Sequence, residues 1–213
     1  MTAVITSEVT VTESLIAVKA KVLLLHGMAA VFEDLYGNLW DLLQGNEEHP
    51  LFNRESANMN IVIRQMQEED IDFLAKVFHP LNKPRDQFEM FWREHQAGNR
   101  VTFVACVEEK SVGYTNLVWK SDYKSFDETG IPEINNMHIL DEFQKQGIGT
   151  ALIQEAEKIA LMQGKEEIGI GFGLTPDYGT AQRLYPKLGY IPDGRGAQPT
   201  PWGDVLYLTK RLK

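Results

Sequence analysis

The chain has 213 residues, 43% hydrophobic and 24% charged, enough to pack one domain of about 150 residues with an appendage but crowded for two. A formal net charge of −9 argues against a dedicated nucleic-acid binder, which gathers Lys and Arg against phosphates, and suits a cationic substrate. The single cysteine, Cys106, leaves no internal disulfide framework and no multi-cysteine metal site, so a reducing, cytoplasmic setting is expected.

The chain opens with a Thr- and Val-rich stretch. Leu15, Val18, Val22, Leu25, Ala29 and Phe32 then recur with helical spacing, followed by Leu35, Leu39, Leu42 and Leu43. Gly27, Gly37 and Gly45 punctuate this run, so one bent helix or a helix pair is expected, ending near the Gly-Asn-Glu-Glu-His-Pro segment. Residues 1–57 thus read as an N-terminal helical appendage for packing, or, on the sharper reading, as a lid or an oligomerisation element that would make a homodimer. The most apolar stretch, Val22 to Phe32, is about half of what a bilayer demands and contains His26 and Gly27, so no membrane span is expected. A secretory signal is not expected either, because Glu8 and Glu13 dominate the approach to that stretch.

Residues 58–213 read as a compact α/β unit. Ile61 to Met66 alternates like a strand, and Glu68, Glu69 and Asp70 put acids at the start of a helix, where its dipole favours them. A helix over Asp86–Gln96 carries Phe88, Phe91 and Trp92. Strands over Val101–Glu108 and Val112–Trp119 form a hairpin, and a polar loop covers Asp122–Pro132. A strand over Pro132–Leu140 and a helix over Gly149–Gln163 follow. Then come a strand over Glu167–Leu174, a helix over Thr180–Leu188 and a closing strand over Val205–Arg211. Gly169, Gly171 and Gly173 alternate with Ile168, Ile170 and Phe172, which marks them as strand positions that permit close backbone approach.

The chemistry concentrates between Glu133 and Ile153. A strand enters a glycine-bearing turn that opens directly into a helix with an apolar face at Leu152, Ile153, Ala156, Ile159 and Ala160. Such a turn aims free backbone N–H groups and the positive helix end at one point, which suits a pyrophosphate. Gly147-Ile148-Gly149-Thr150 lacks the lysine of a Walker loop, and Leu152 stands where the dinucleotide fingerprint needs a third glycine.

The remaining pattern, Gln144-x-x-Gly147-x-Gly149, resembles motif A of the GNAT superfamily of N-acetyltransferases. Ala181-x-x-Leu184-Tyr185-x-x-x-Gly189-Tyr190 is similar to that family's motif B, and the order of the two motifs, with a strand between them, also fits. The resemblance covers about residues 60–212. It implies a GNAT-type acyl-CoA N-acyltransferase fold, a mixed and mostly antiparallel sheet flanked by helices. It further implies transfer of acetyl from acetyl-CoA, by direct attack, to a primary amine of a small molecule, such as an aminoglycoside or polyamine, or of a peptide. Carried onto this chain, the backbone of Met137 and Ile139 would pair with pantetheine. The amides of Gln144, Lys145, Gln146, Gly147, Ile148, Gly149 and Thr150 would hold the pyrophosphate. An N–H near Met137 or His138 would polarise the thioester carbonyl.

By the same resemblance Glu133 is the general base and Tyr185 the acid that protonates the departing thiolate, against the plainer readings of a surface glutamate and a core tyrosine. Two departures stand out: Pro186 biases Tyr185 away from helical geometry, and Tyr178 replaces the usual asparagine. The opposing reading is a non-catalytic acyl-CoA sensor or interaction module on the same fold, and another acyl group, such as succinyl, stays open. Trp119, Tyr123 and Phe126, with Asp122, Asp127 and Glu128, are candidates to line the acceptor pocket or to form a polar surface loop. His138 is expected to face away from Met137 and Ile139. Cys106 reads as a small core residue. No metal is expected, because His26, His79 and His95 are scattered without ligand spacing.

Overall fold

The structure, a computed structural model, describes residues 6–11, 18–24, 28–33, 39–43, 60–108 and 110–213. Contacts divide the chain into two units, Met1–Asn58 and Met59–Lys213. In the first, β1 (Thr6–Val11), β2 (Val18–Leu24), β3 (Met28–Glu33) and β4 (Leu39–Leu43) pair antiparallel in the order β1-β2-β3-β4. The helical appendage expected for residues 1–57 is therefore corrected: its described segments are strands. Apolar runs of 5 to 7 residues satisfy helical and extended spacing alike, and Thr6–Val11 is rich in β-branched residues that favour a pleated surface. His26 lies outside the described residues.

The second unit runs β5 (Ile61–Gln65), α1 (Asp70–Phe78), α2 (Arg85–Gln96), β6 (Arg100–Val107), β7 (Lys110–Val118), α3 (Lys124–Thr129), β8 (Glu133–Ile139), α4 (Ile148–Met162), β9 (Glu167–Gly173), α5 (Gly179–Lys187), β10 (Ile191–Thr200) and β11 (Gly203–Arg211). Its seven-stranded sheet has the order β10-β11-β9-β8-β7-β6-β5. Every neighbouring pair is antiparallel except β8 with β9. No helix among the described residues is long and apolar enough to cross a membrane.

Each face of the sheet carries its own apolar layer. On one, Leu152, Ile153, Ala156 and Ala160 of α4 pack with Ile134, Ile168 and Ile170. On the other, Leu74 and Phe78 of α1 and Phe88 and Phe91 of α2 surround Tyr114, with Cys106 among them as a buried core residue. The acids before α1 do more than face a helix dipole. Asp70, itself buried, accepts from both Arg64 guanidinium nitrogens at 2.6 and 2.7 Å and from the Gln67 N–H at 2.7 Å, tying β5 to the helix start.

Three local departures from the sequence reading have simple causes. The loop after β7 contains a helical turn, α3, because Phe126 is drawn into the core and Gly130, at φ 68°, ends the turn. β10, which the Gly- and Pro-rich composition hides, is an edge strand where prolines are tolerated, with a register shift between Pro192 and Ala197. α5 continues through Pro186, so Tyr185 is helical after all. Pro186 lies one residue before the last of the helix, where a missing N–H costs a single hydrogen bond.

The glycines of β9 form one side of the strand, and aromatic rings lie directly on them. An added Cβ would come 2.2 Å from the Phe126 ring at Gly169, 3.0 Å from Tyr207 at Gly171 and 2.5 Å from Tyr178 at Gly173. Phe126 is 1% exposed and has nowhere to retreat. Gly169→Ala is therefore expected to lose about 1–3 kcal/mol in urea unfolding, the usual range for overpacking, and Gly171→Ala less, because the atoms it meets, on Val205 and Tyr207, stand farther off at 2.9–3.1 Å.

Candidate active site

The site begins where the sheet fails to close. β8 and β9 are paired at Glu133 with Gly169 and at Ile134 with Ile170, and the ladder stops there. On its other edge β8 stays paired to β7, but the register shifts between Asn135 opposite Asn116 and His138 opposite Tyr114. β8 thus holds one extra residue, and Asn136 at φ 52° is the left-handed position that absorbs it. Beyond Ile134 the edge of β8 facing β9 lacks ladder partners, so the two strands bound a gap. Backbone N–H and C=O groups along such an edge need partners, and an extended, amide-bearing ligand supplies them as an added strand would.

The turn at the end of β8 closes one side of that gap. A 3-10 turn over Asp141–Phe143 leads to Gln144, whose side-chain amide donates to the Ile139 carbonyl at 3.1 Å and to Asp141 Oδ1 at 2.8 Å. Its backbone N–H donates to the Asp141 carbonyl at 3.2 Å. Gln144 thus ties the turn to the strand, its N–H groups engaged by Ile139 and Asp141. The first N–H closing onto the helix is that of Ala151, on the Gly147 carbonyl at 3.0 Å. The amides of Lys145, Gln146, Gly147, Ile148, Gly149 and Thr150 have no acceptor among the described residues. Lys145 at φ 59° and Gly147 at φ 89° are left-handed, the kind of backbone that turns successive N–H groups toward one point.

The two glycines of the turn serve different needs. A Cβ on Gly147 would meet nothing, so its requirement is conformational. A Cβ on Gly149 would lie 3.3 Å from Leu184, 3.4 Å from Ile139 and 3.8 Å from the Met137 sulfur, so its requirement is room. Met137 and Ile139 face α4 with the core, whereas His138 points to the opposite face, its ring 5.4 Å from Tyr114. Burial, with Lys83 nearby, pushes the His138 imidazole down to about 4, so it is neutral near pH 7.

Glu133 lies at the closed end of the gap, 8% exposed. Its neighbour Ile134 packs toward α4, which sends the carboxyl to the other face. There Oε2 accepts a hydrogen bond of 2.5 Å from Ser121. Burial raises the carboxyl to about 7, Ser121 acts to lower it and Asp122 adds to the rise. Beside it, Tyr207 of β11 stacks on Tyr123 with centroids 3.8 Å apart, and burial followed by the charge of Glu133 pushes the Tyr207 phenol up to about 12.

Tyr185 belongs to the α4 face, packed near Phe172 and Tyr190. Burial, then Tyr178, pushes its phenol upward, and its hydroxyl makes no hydrogen bond to a described residue. Its motif partner Tyr190 is structural: the hydroxyl donates to Glu157 of α4 at 2.9 Å, and the same carboxylate accepts from Lys210 of β11 at 2.8 Å. Glu133 and Tyr185 thus lie on opposite faces of the sheet. Of the loop residues considered for an acceptor pocket, Phe126 is taken up by packing on Gly169 and Trp119 packs against the core, while Asp122, Asp127 and Glu128 are exposed. Sequence reasoning missed Asn136, Ser121 and Tyr207, and only a bulge or a tertiary contact identifies them.

Comparison with known proteins places this geometry. Residues 98–192 match the family model described as Acetyltransferase (GNAT) domain. An uncharacterized protein of Shewanella frigidimarina is 69% identical over 26 residues, 12% of this chain, and the chain spans about a fifth (19%) of that relative's length. Among solved structures, an N-acetyltransferase from Staphylococcus aureus Mu50 is similar with a TM-score of 0.58 at 16% identity, over 72% of this chain and 99% of its own. An acetyltransferase of the GNAT family from Streptococcus pneumoniae has a TM-score of 0.56 at 20% identity, over 72% and 100%. The paia N-acetyltransferase from Thermoplasma acidophilum, solved in complex with coenzyme A, has a TM-score of 0.55 at 18% identity, over 72% and 99%. At these identities the solved structures show a common fold, and the GNAT acetyltransferase model matches residues 98–192, somewhat under half of the chain.

Proposed function

We propose that residues 58–213 form an acetyl-CoA-dependent N-acetyltransferase acting on a primary amine of a small molecule or peptide, with residues 1–57 as a separate appendage. The observation that carries this reading is the gap itself: an unladdered β8 edge leads at one end to six free amides and at the other to a buried carboxyl poised near neutrality. Coenzyme A fits that layout. Its diphosphate matches the amides from Lys145 to Thr150 at the positive end of α4, and its amide-bearing pantetheine arm matches the β8 edge at Met137 and Ile139. The bound co-substrate supplies an activated acetyl thioester.

The chain's own residues handle the protons. An amine near pH 7 is mostly protonated, with an ordinary pKa of roughly 10, so a base must strip it before attack. Glu133, raised to about 7, is a stronger base than an ordinary glutamate and can share that proton, directly or through a water. Tyr185, on the opposite face and held protonated by burial, is suited to give its proton to the departing thiolate. An N–H of Met137 or His138 is suited to the acyl carbonyl oxygen. The exposed carboxylate of Asp122 beside Glu133 favours a cationic acceptor, such as a polyamine or aminoglycoside.

The direct test is thiol release from acetyl-CoA across a panel of amines, alongside calorimetry with coenzyme A. Binding without release for any amine would replace the enzyme with an acyl-CoA sensor, and no binding at millimolar coenzyme A would remove the site. Glu133→Gln is expected to lower kcat about 100-fold or more while leaving the affinity for acetyl-CoA unchanged. In the parent protein kcat/KM should fall as pH drops through about 7, because protonation silences the base. The same substitution has a stability signature. A carboxyl whose folded pKa is raised contributes stability below its unfolded value and loses it as pH rises through about 7, so Glu133→Gln should unfold at higher temperature than the parent at pH 8, with little difference at pH 4. For the acid, Tyr185→Phe is expected to reduce kcat by roughly 100-fold with an unshifted Tm, and a fully active Phe variant would return Tyr185 to the core.

A further inference from the structure

Glu133 has two carboxyl oxygens, and only one of them is engaged. Ser121 is 4% exposed and sits in the connection between β7 and α3. Its Oγ accepts from the backbone N–H of Tyr123 at 2.9 Å, so its single proton is free to go elsewhere. The acceptor lying at 2.5 Å is Glu133 Oε2. With Glu133 ionised, this chain runs from Tyr123 N–H to Ser121 Oγ and from Ser121 O–H to Glu133 Oε2. We infer that Ser121 is a positioning residue for the base, holding Oε2 so that Oε1 alone faces the acceptor amine and takes its proton. This rests on the reading of Glu133 as the base.

The loop that carries Ser121 is anchored at three places, each from a different part of the sheet. The Tyr123 ring stacks on Tyr207 of β11, 3° from parallel. The Tyr123 hydroxyl donates to Asp193 Oδ2 at 2.7 Å. The other oxygen of Asp193 accepts the Arg195 N–H at 2.9 Å, which occupies that 6%-exposed carboxylate within the β10 register shift. Phe126 lies on Gly169, the residue paired with Glu133 across β8 and β9. Only a loop held this firmly keeps a serine hydroxyl on one carboxyl oxygen while the other is working. The C-terminal hairpin, far along the chain from the base, therefore orients it through Tyr123.

The charged surroundings of Glu133 leave Ser121 as the main counterweight to burial. Asp122 on the same loop acts against ionisation, and Tyr207 from β11 stands near the carboxyl as a neutral phenol. No cation among the described residues contributes. Removing the hydroxyl of Ser121 thus makes Glu133 harder to ionise and frees it to rotate.

The experiment compares Ser121→Ala and Ser121→Thr with the parent by two readouts: the pH profile of kcat/KM, and a 13C NMR titration of the Glu133 carboxyl in the free protein. In Ser121→Ala both the acid limb and the NMR midpoint are expected to move to higher pH. Turnover at pH 7 should drop roughly tenfold, as for loss of a hydrogen bond to a charged group. Ser121→Thr, which keeps a hydroxyl, should return both. Tyr123→Phe should move them in the same direction by less. If the alanine variant does not fold, Ser121→Cys, similar in size and a weaker donor, carries the same expectation. Profiles and midpoints that superimpose on the parent overturn the inference, as does a threonine variant indistinguishable from alanine. An NMR midpoint that moves while the acid limb stays fixed means that Ser121 holds a carboxyl which is not the base. That outcome, with an active Glu133→Gln, fails the functional reading separately.

Discussion

The structure depends on a parallel pair that is deliberately incomplete. Two strands that stayed hydrogen-bonded along their length would satisfy their own backbones and leave nothing for a ligand. Here β8 and β9 share only the pairs at Glu133 and Ile134, because the extra residue at Asn136 bends β8 while its other edge remains held by β7. The sheet survives this interruption because apolar layers on both faces bridge it. Ile134, Ile168 and Ile170 are clamped by α4 on one face, and Phe126 lies across Gly169 on the other.

That construction gives the two faces of the gap different chemistry. The α4 face is set by proximity: Gly149 lets the first turn of the helix come against Ile139 and Met137, which brings free amides to the open end of the strand. The opposite face is set by absence, since glycines at 169, 171 and 173 leave a smooth strand on which rings can lie. Glu133 is buried on this face, and lost solvation is the leading cause of its raised pKa. Tyr185, lodged in the α4 layer, has its phenol pushed up by burial as well, but there the effect keeps a proton in place. Burial thus raises the pKa of an ionisable group on each face.

What could be read from the chain follows from how local each feature is. The turn and helix from Gln144 onward were legible because glycine spacing and the apolar stripe of α4 lie within some twenty residues of sequence. The face of His138 followed from strand alternation, and Glu133 was singled out through the family resemblance, by its spacing from Gln144. The described part of residues 1–57 was misread, since short apolar runs fit either periodicity and β-branched content has to arbitrate. β10 was hidden because edge strands tolerate the prolines and glycines that elsewhere mark loops. Ser121 was illegible for a different reason: it stands twelve positions before Glu133, on another element, and a serine in a polar loop carries no local signal of the carboxyl it meets.

The cost of the site also explains its surroundings. A carboxyl lifted to about 7 by burial works against folding at neutral pH, where an exposed glutamate would not. The compensating contacts lie beside it: the Tyr123–Tyr207 stack, the Tyr123–Asp193 hydrogen bond and the Phe126 ring seated on Gly169. None of these needs to touch a substrate to matter, because each restrains the loop that meets Glu133. A group can be held away from its preferred ionisation only where packing around it is rigid enough to prevent relaxation toward water. The rigidity of this corner of the sheet and the basicity of Glu133 are therefore two consequences of one arrangement, and substitutions that loosen the corner should weaken both together.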